Sequence, residues 1–230
     1  MTLHRFFVSA GDASDERFPL PASIARQVRT VLRLGEGDQI VLLTGDGSEA
    51  RCRIVGADCV VEERRPSAAE PSHRLTVVQA LLKGDGLAEV VQRGTEVGVW
   101  AFRLAVTERC VARELSPRRL ERLRTIAREA AEQSERGAVP AVHEPVPLDE
   151  LLRPNAVLLF ARAAAEPRLG ELEPPATIVV GPEGGFTPAE VARARAAGVA
   201  VAGLGPRILR SQTVAPVAAA VILSRTGDFA

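Results

Sequence analysis

The stretch Thr177-Ile178-Val179-Val180-Gly181-Pro182-Glu183-Gly184-Gly185-Phe186-Thr187-Pro188-Ala189-Glu190 decides the fold of this chain. Thr177 to Val180 is a β-branched apolar run, the mark of a buried strand. It passes directly into a turn dense in Gly and Pro. Thr187, Pro188 and Glu190 then open a helix, with Thr at the N-cap, Pro at the first helical position and Glu three residues after the cap, which is the capping-box pattern. The glycines therefore lie in a strand-to-helix turn at the carboxyl end of a strand, the place where open α/β sheets bind ligands. Gly184 and Gly185 let the backbone approach a ligand with no Cβ in the way. A tight turn with no ligand has the same composition, so one Gly-rich turn leaves both readings open.

A second loop lies just downstream. Val199 to Leu204 reads as another short apolar strand, followed by Gly205-Pro206-Arg207-Ile208-Leu209-Arg210-Ser211-Gln212-Thr213 and then the apolar stretch Val214 to Leu223. Two successive strand-loop-helix units, each with Gly-Pro in its loop, are expected to set two loops side by side above one sheet. The chain upstream keeps the same alternation. Leu75 to Leu82 is a strand, Asp85 is placed to cap a helix with apolar positions Leu87, Val90, Val91 and Val97, and Trp100 to Val106 is the next strand. Ser116-Pro117 opens a long helix whose stripe is Leu120, Leu123, Ala127, Ala130 and Ala131, and Val157 to Phe160 is a further strand. Strand and helix in alternation argue an α/β fold with a mostly parallel sheet.

The first 72 residues read differently. Arg5 to Val8, Gln39 to Leu43, Glu49 to Val55 and Asp58 to Glu63 are strand-like, and one helical pattern runs through Ile24, Val28, Val31 and Leu32. Thr44-Gly45-Asp46-Gly47-Ser48 is a hairpin connection with Asp-Gly as its strongest signal. A small β-barrel with one helix fits this order, and Pro66 to Ser72 reads as a linker. The expected domains are thus 1–72 and 73–230.

Composition narrows the functional classes. The 29 basic and 29 acidic residues balance, so any nucleic-acid site must be a local patch. Lys83 is the sole lysine. No apolar run reaches the ~18 residues of a membrane span, and Met1 to Phe7 has no signal-peptide layout. Cys52, Cys59 and Cys110 are odd in number and lack metal spacing, which fits buried thiols in a reduced, cytoplasmic protein. His4, His73 and His143 are scattered, so no metal is expected. A P-loop needs a Gly-Lys-Ser/Thr sequence, but Lys83 is followed by Gly84-Asp85. The glycines come too late for a dinucleotide fingerprint, and G-x-S-x-G is absent.

Gly181-Pro182-Glu183-Gly184-Gly185-Phe186-Thr187 followed by Leu204-Gly205-Pro206-Arg207-Ile208-Leu209-Arg210-Ser211-Gln212-Thr213 resembles the C-terminal signature of the SPOUT-class RNA methyltransferases. Within that class it is similar to the family that methylates N3 of a uridine in 16S rRNA. The resemblance extends in order through Lys83-Gly84-Asp85, Gln92 to Val99, Glu108-Arg109-Cys110, Arg128 to Ser134, Arg136 and Val139-Pro140, nearly the whole chain. It implies a PUA-like RNA-binding N-terminal domain. It also implies a C-terminal SPOUT domain with a deep trefoil knot, a homodimer, and S-adenosyl-L-methionine as cofactor. The implied partner is 16S rRNA, free or in the small ribosomal subunit.

Under that resemblance Gly181, Pro182, Glu183, Gly184, Gly185, Phe186, Leu204, Gly205, Pro206, Ile208, Leu209 and Arg210 are the cofactor-binding candidates. Their polar contacts come mainly from main-chain groups, because Leu204, Ile208 and Leu209 are apolar; for Ile208 and Leu209 plain core packing is the alternative. Methylation at N3 needs an aligned methyl group, loss of the N3 proton and neutralisation of developing charge. The catalytic candidates are Arg109, Glu132, Arg136, Glu183, Arg207 and Arg210. Arginine suits phosphate or carbonyl oxygens, while the bland alternative for each is a solvated charge. Glu183 can accept a proton or can orient the turn by accepting backbone N–H bonds. Glu132 is otherwise an exposed helix acid, and the helix from Ser116 to Arg136 faces RNA or a second subunit. Three departures stand out: Ala138 replaces a common arginine, Gln212 a usual glutamate and Val214 a usual alanine, so Gln212 cannot serve as a base. The rival from another class is a non-catalytic assembly factor that binds rRNA, which need not bind the cofactor.

Overall fold

The computed structural model describes residues 3–9, 15–160 and 166–229. The chain divides into two compact units: Met1–Glu70 with Ala131–Val139, and Pro71–Ala130 with Pro140–Ala230.

The first unit is built on a five-stranded sheet. Its strands are β1 (His4–Phe7), β2 (Arg17–Pro19), β3 (Gln39–Leu43), β4 (Ser48–Val55) and β5 (Asp58–Pro66), in the order β1-β3-β4-β5-β2. β1 runs parallel to β3 and the other pairings are antiparallel. In β4, Ala50, Cys52 and Ile54 point into the core while Arg51 and Arg53 stay exposed, the period-2 alternation of a sheet with one wet face. The expected hairpin closes with Leu43 opposite Glu49. Asp46 organises it, its carboxylate accepting from Ser48 N at 2.9 Å and from Thr44 Oγ1 at 2.7 Å.

Sequence reasoning missed β2, because a three-residue strand in which only Phe18 is buried has no readable period. The expected helix is α1 (Ala22–Arg26), continued by a π-helical turn over Gln27–Val31. Ile24 and Val28 are buried as expected, but Val31 is 67% exposed because the wider turn rotates it off the apolar face. The stretch from Pro66 to Ser72 is not a solvated linker throughout. Ser67 is buried, and Glu70 accepts from Arg136 Nη2 at 2.8 Å, Arg136 Nε at 3.2 Å and Ala138 N at 3.0 Å. Residues 131–139 pack in this unit, and the buried Arg136 they bring needs a carboxylate.

The second unit holds β6 (Thr76–Ala80), α2 (Gly86–Glu96), β7 (Ala101–Val106), most of α3 (Pro117–Gln133), β8 (Ala141–Val142), β9 (Val146–Pro147), β10 (Ala156–Leu159), β11 (Thr177–Val180), α4 (Pro188–Ala196), β12 (Ala200–Ala202) and α5 (Ser211–Arg225). Its sheet is parallel in every pairing and ordered β12-β10-β11-β6-β7-β8, with β9 also on β7. All four residues of β10 are buried, and only Thr76 and Thr177 at the starts of β6 and β11 are partly open. Such continuous burial belongs to a parallel sheet covered on both faces.

β10 lies between β11 and β12, so the two glycine loops leave strands separated by one neighbour rather than adjacent ones. The capping box forms as read, with Thr187 Oγ1 accepting from Glu190 N at 3.2 Å and Glu190 Oε2 accepting from Thr187 N at 2.8 Å. Asp85 does occupy the N-cap of α2, but its side chain makes no capping bond there; Arg122 pairs with it at 3.1 Å instead. No helix among the described residues is long and apolar enough to cross a membrane.

Candidate functional site

Above the carboxyl ends of β10 and β11 lies a cavity of about 1020 Å³. One wall is the turn from Val180 to Phe186 with Pro188. A second stretch of the lining is Leu204, Gly205, the run from Arg207 to Gln212 and Val214. Leu159, Phe160, Lys83, Asp85, Gly86, Glu89 and Arg109 complete the lining. The volume is at the upper end of small-molecule sites.

The residues expected to hold a cofactor converge here, all but Pro206, which is exposed and lies outside the lining. Of the catalytic candidates, Arg109, Glu183, Arg207 and Arg210 line the cavity, whereas Glu132 and Arg136 are not among its residues. Arg136 is 2% exposed, and its guanidinium is committed to Glu70 in the first unit, so it does not serve as a surface arginine there. Ala138, the position at which the resemblance leads one to expect an arginine, is itself buried. Core packing fails as an account of Ile208, which is 83% exposed on the cavity rim. The arginines of α3 are partly spent within their own unit: Arg119 donates to Gly84 O, Arg122 pairs with Asp85, and Arg124 donates to Val142 O at 3.2 Å.

The glycine turn is held from several directions. Gly185 adopts φ +67°, the left-handed region open to glycine at little cost, and its N–H bonds Pro182 O at 2.9 Å. Arg109 Nη1 donates to Gly184 O at 2.9 Å and to Phe186 O at 3.3 Å, so this guanidinium shapes the turn. Glu183 Oε1 accepts from Lys83 N at 3.0 Å, a backbone bond of the kind an orienting carboxylate makes. Glu190, 1% exposed, serves twice: beyond its capping bond, its Oε1 accepts from Glu108 N at 2.8 Å and ties the loop after β7 to the start of α4. The carbonyls of Gly181, Pro182, Gly184 and Phe186 are all engaged within the protein. The Gly185 N–H is likewise engaged, with Pro182 O. Lys83, Glu89 and Phe160 also line the cavity and were missed as site residues. For Lys83 the available signal was its place as the sole lysine, in Lys-Gly-Asp just after a strand.

A parallel α/β sheet with a glycine-walled cleft over its carboxyl ends is a ligand-binding enzyme domain of the open-sheet class. Residues 69–223 match the family described as RNA methyltransferase domain, and residues 28–62 match the RNA methyltransferase PUA domain. The chain belongs to this RNA methyltransferase family, and its α/β unit is of the SPOUT type. It is 31% identical to ribosomal RNA small subunit methyltransferase E of Bacillus subtilis over 97% of both chains. With the protein of that name from Synechocystis it shares 33% identity, over 95% of this chain and 77% of the relative. Among solved structures it superposes with TM-score 0.82 and 30% identity on a ribosomal RNA small subunit methyltransferase E from Neisseria gonorrhoeae bound to S-adenosyl methionine, covering 97% of this chain and 98% of that one.

Proposed function

We propose that this protein transfers a methyl group from S-adenosylmethionine to N3 of a uridine in 16S rRNA. The observation that carries the proposal is the convergence of both glycine-containing loops on one cavity, in a chain that matches small-subunit rRNA methyltransferases from end to end. The lining fits the cofactor. Leu204, Ile208, Leu209 and Phe160 offer apolar surface to an adenine, the N–H groups of the glycine turn suit acceptor atoms, and Asp85, Glu89 and Glu183 suit a cationic sulfonium and amine. Bound there, the cofactor supplies an electrophilic methyl group.

The chain's own residues do the rest. The turn from Gly181 to Phe186, held by Arg109, and the run from Leu204 to Arg210 orient the ligand. Arg207 and Arg210 are exposed on the rim, where forked donors can neutralise a phosphate or a uracil carbonyl as negative charge develops. Gln212 lines the cavity but carries no titratable proton. The domain division at residues 72/73 with a PUA-like RNA grip, the trefoil knot, a homodimer and a cytoplasmic site of action belong to the same proposal.

The test is incubation of the protein with radiolabelled S-adenosylmethionine and either unmethylated small subunits or free 16S rRNA, followed by nucleoside analysis. Label recovered as N3-methyluridine is the expected result. Label in another nucleoside would overturn the site. No label together with no cofactor binding would leave a non-catalytic RNA-binding role.

A further inference from the structure

Strand β6 reads Thr76-Val77-Val78-Gln79-Ala80, an apolar run broken by one amide. Gln79 is fully buried and stands in register with Val180, the residue before the glycine turn. Its Nε2 donates to Ala80 O at 3.1 Å and to Ser211 Oγ at 3.3 Å, and lies 3.5 Å from Gly181 O. Ser211, 7% exposed, in turn donates its hydroxyl to Gly181 O. The remaining amide atom, Gln79 Oε1, has no partner among the described residues. An amide in the middle of a parallel sheet with its acceptor unmet costs stability relative to an apolar side chain of similar size. Core stability therefore does not account for it.

What the amide holds does account for it. Gly181 opens the glycine turn and Ser211 opens α5, and both segments line the cavity. Through Ser211, Gln79 ties both segments to the strand beneath them. We propose that Gln79 and Ser211 are positioning residues for the cofactor. They keep the Gly181 carbonyl turned into the protein and fix the spacing between the glycine turn and the start of α5, and so act on the cofactor through the backbone of the turn. The inference rests on reading the cavity as the S-adenosylmethionine site.

The experiment compares the full-length wild type with Ser211→Ala, Ser211→Thr and Gln79→Leu. S-adenosylmethionine is titrated by calorimetry, thermal unfolding is recorded without ligand, and KM is measured for cofactor and for RNA. Ser211→Ala is expected to raise the cofactor Kd about tenfold, the worth of one net hydrogen bond. Ser211→Thr, which keeps the hydroxyl, is expected to restore binding to within about twofold. Gln79→Leu is expected to weaken cofactor binding by a similar factor while the unliganded protein unfolds no earlier, because an unmet buried acceptor is gone. KM for the cofactor follows Kd, and KM for RNA does not. Earlier unfolding of Ser211→Ala and Gln79→Leu with an unchanged Kd would make the cluster merely structural and overturn the proposal. A wild type that fails to bind S-adenosylmethionine would overturn the cofactor reading itself, and this inference with it.

Discussion

Arg109 and Arg207 look alike in the sequence and differ in the folded chain. Arg109 spends its guanidinium on the carbonyls of Gly184 and Phe186, while Arg207 and Arg210 stand exposed at the rim. Arg109→Ala is therefore expected to weaken S-adenosylmethionine binding about five- to tenfold, as two charge-assisted bonds to the turn are lost, discounted for exposure. Its effect on RNA affinity is expected to be small. Calorimetry with the cofactor and a separate RNA-binding titration check the two halves. Arg207→Ala and Arg210→Ala should do the reverse, each lowering the salt slope of RNA binding by about one phosphate contact. A slope unchanged in both variants would remove them from the RNA interface. Residue type and loop position were readable from sequence and nominated all three arginines. Which carbonyl a guanidinium meets depends on residues about 75 positions away, and no local pattern carries that.

Elements were the most legible level. The capping box at Thr187, the hairpin at Asp46 and the alternation of strand and helix all follow from local chemistry, and all form as read. The elements that escaped depend on distant partners. β2 exists because β5 offers it an edge, and Glu70 is drawn partly out of solvent because Arg136 comes to it. Glu70→Ala removes the carboxylate that pairs with the buried Arg136, and an expected loss of about 1–3 kcal/mol should appear in chemical denaturation monitored on the first unit. Helix α2 lies close to its sheet at one glycine: a Cβ on Gly94 would stand 2.7 Å from the Phe102 ring. Gly94→Ala is expected to cost about 1–3 kcal/mol by overpacking, although alanine is the better helix former. A variant as stable as wild type would show that the ring can give way.

At the scale of the whole molecule the charges cancel, yet they are not evenly placed. In the first unit Glu49 is 4% exposed between Arg5 and Arg65. Burial pushes its carboxyl up, but the hydrogen bonds and charges of the two arginines outweigh burial and hold it below the usual 4.5. Asp46 is held below 3.8 by its bonds from Ser48 and Thr44. A carboxylate with a depressed folded pKa adds stability above its unfolded pKa, and that stability is lost as pH falls through the folded value. The midpoint of unfolding is thus expected to drop steadily below about pH 4.5, more gently in Glu49→Gln, as read by circular dichroism across pH. Equal pH slopes in the two proteins would refute the assignment. Cys52 and Cys59, by contrast, are pushed by burial to about 12 and about 11, so their thiols stay protonated and inert across the same range.

The sequence by itself determined the α/β character of the larger unit, the glycine turn with its capped helix, and the identity of both loops that wall the cleft. Each of these depends on backbone freedom, capping or periodicity within about a dozen residues. Only the tertiary structure decided that β10 stands between β11 and β12, that residues 131–139 pack with the first unit, and that Gln79 and Ser211 meet at Gly181. These are contacts between residues far apart in the chain. Their free energy comes from burial and from satisfying polar groups that only the folded molecule brings together.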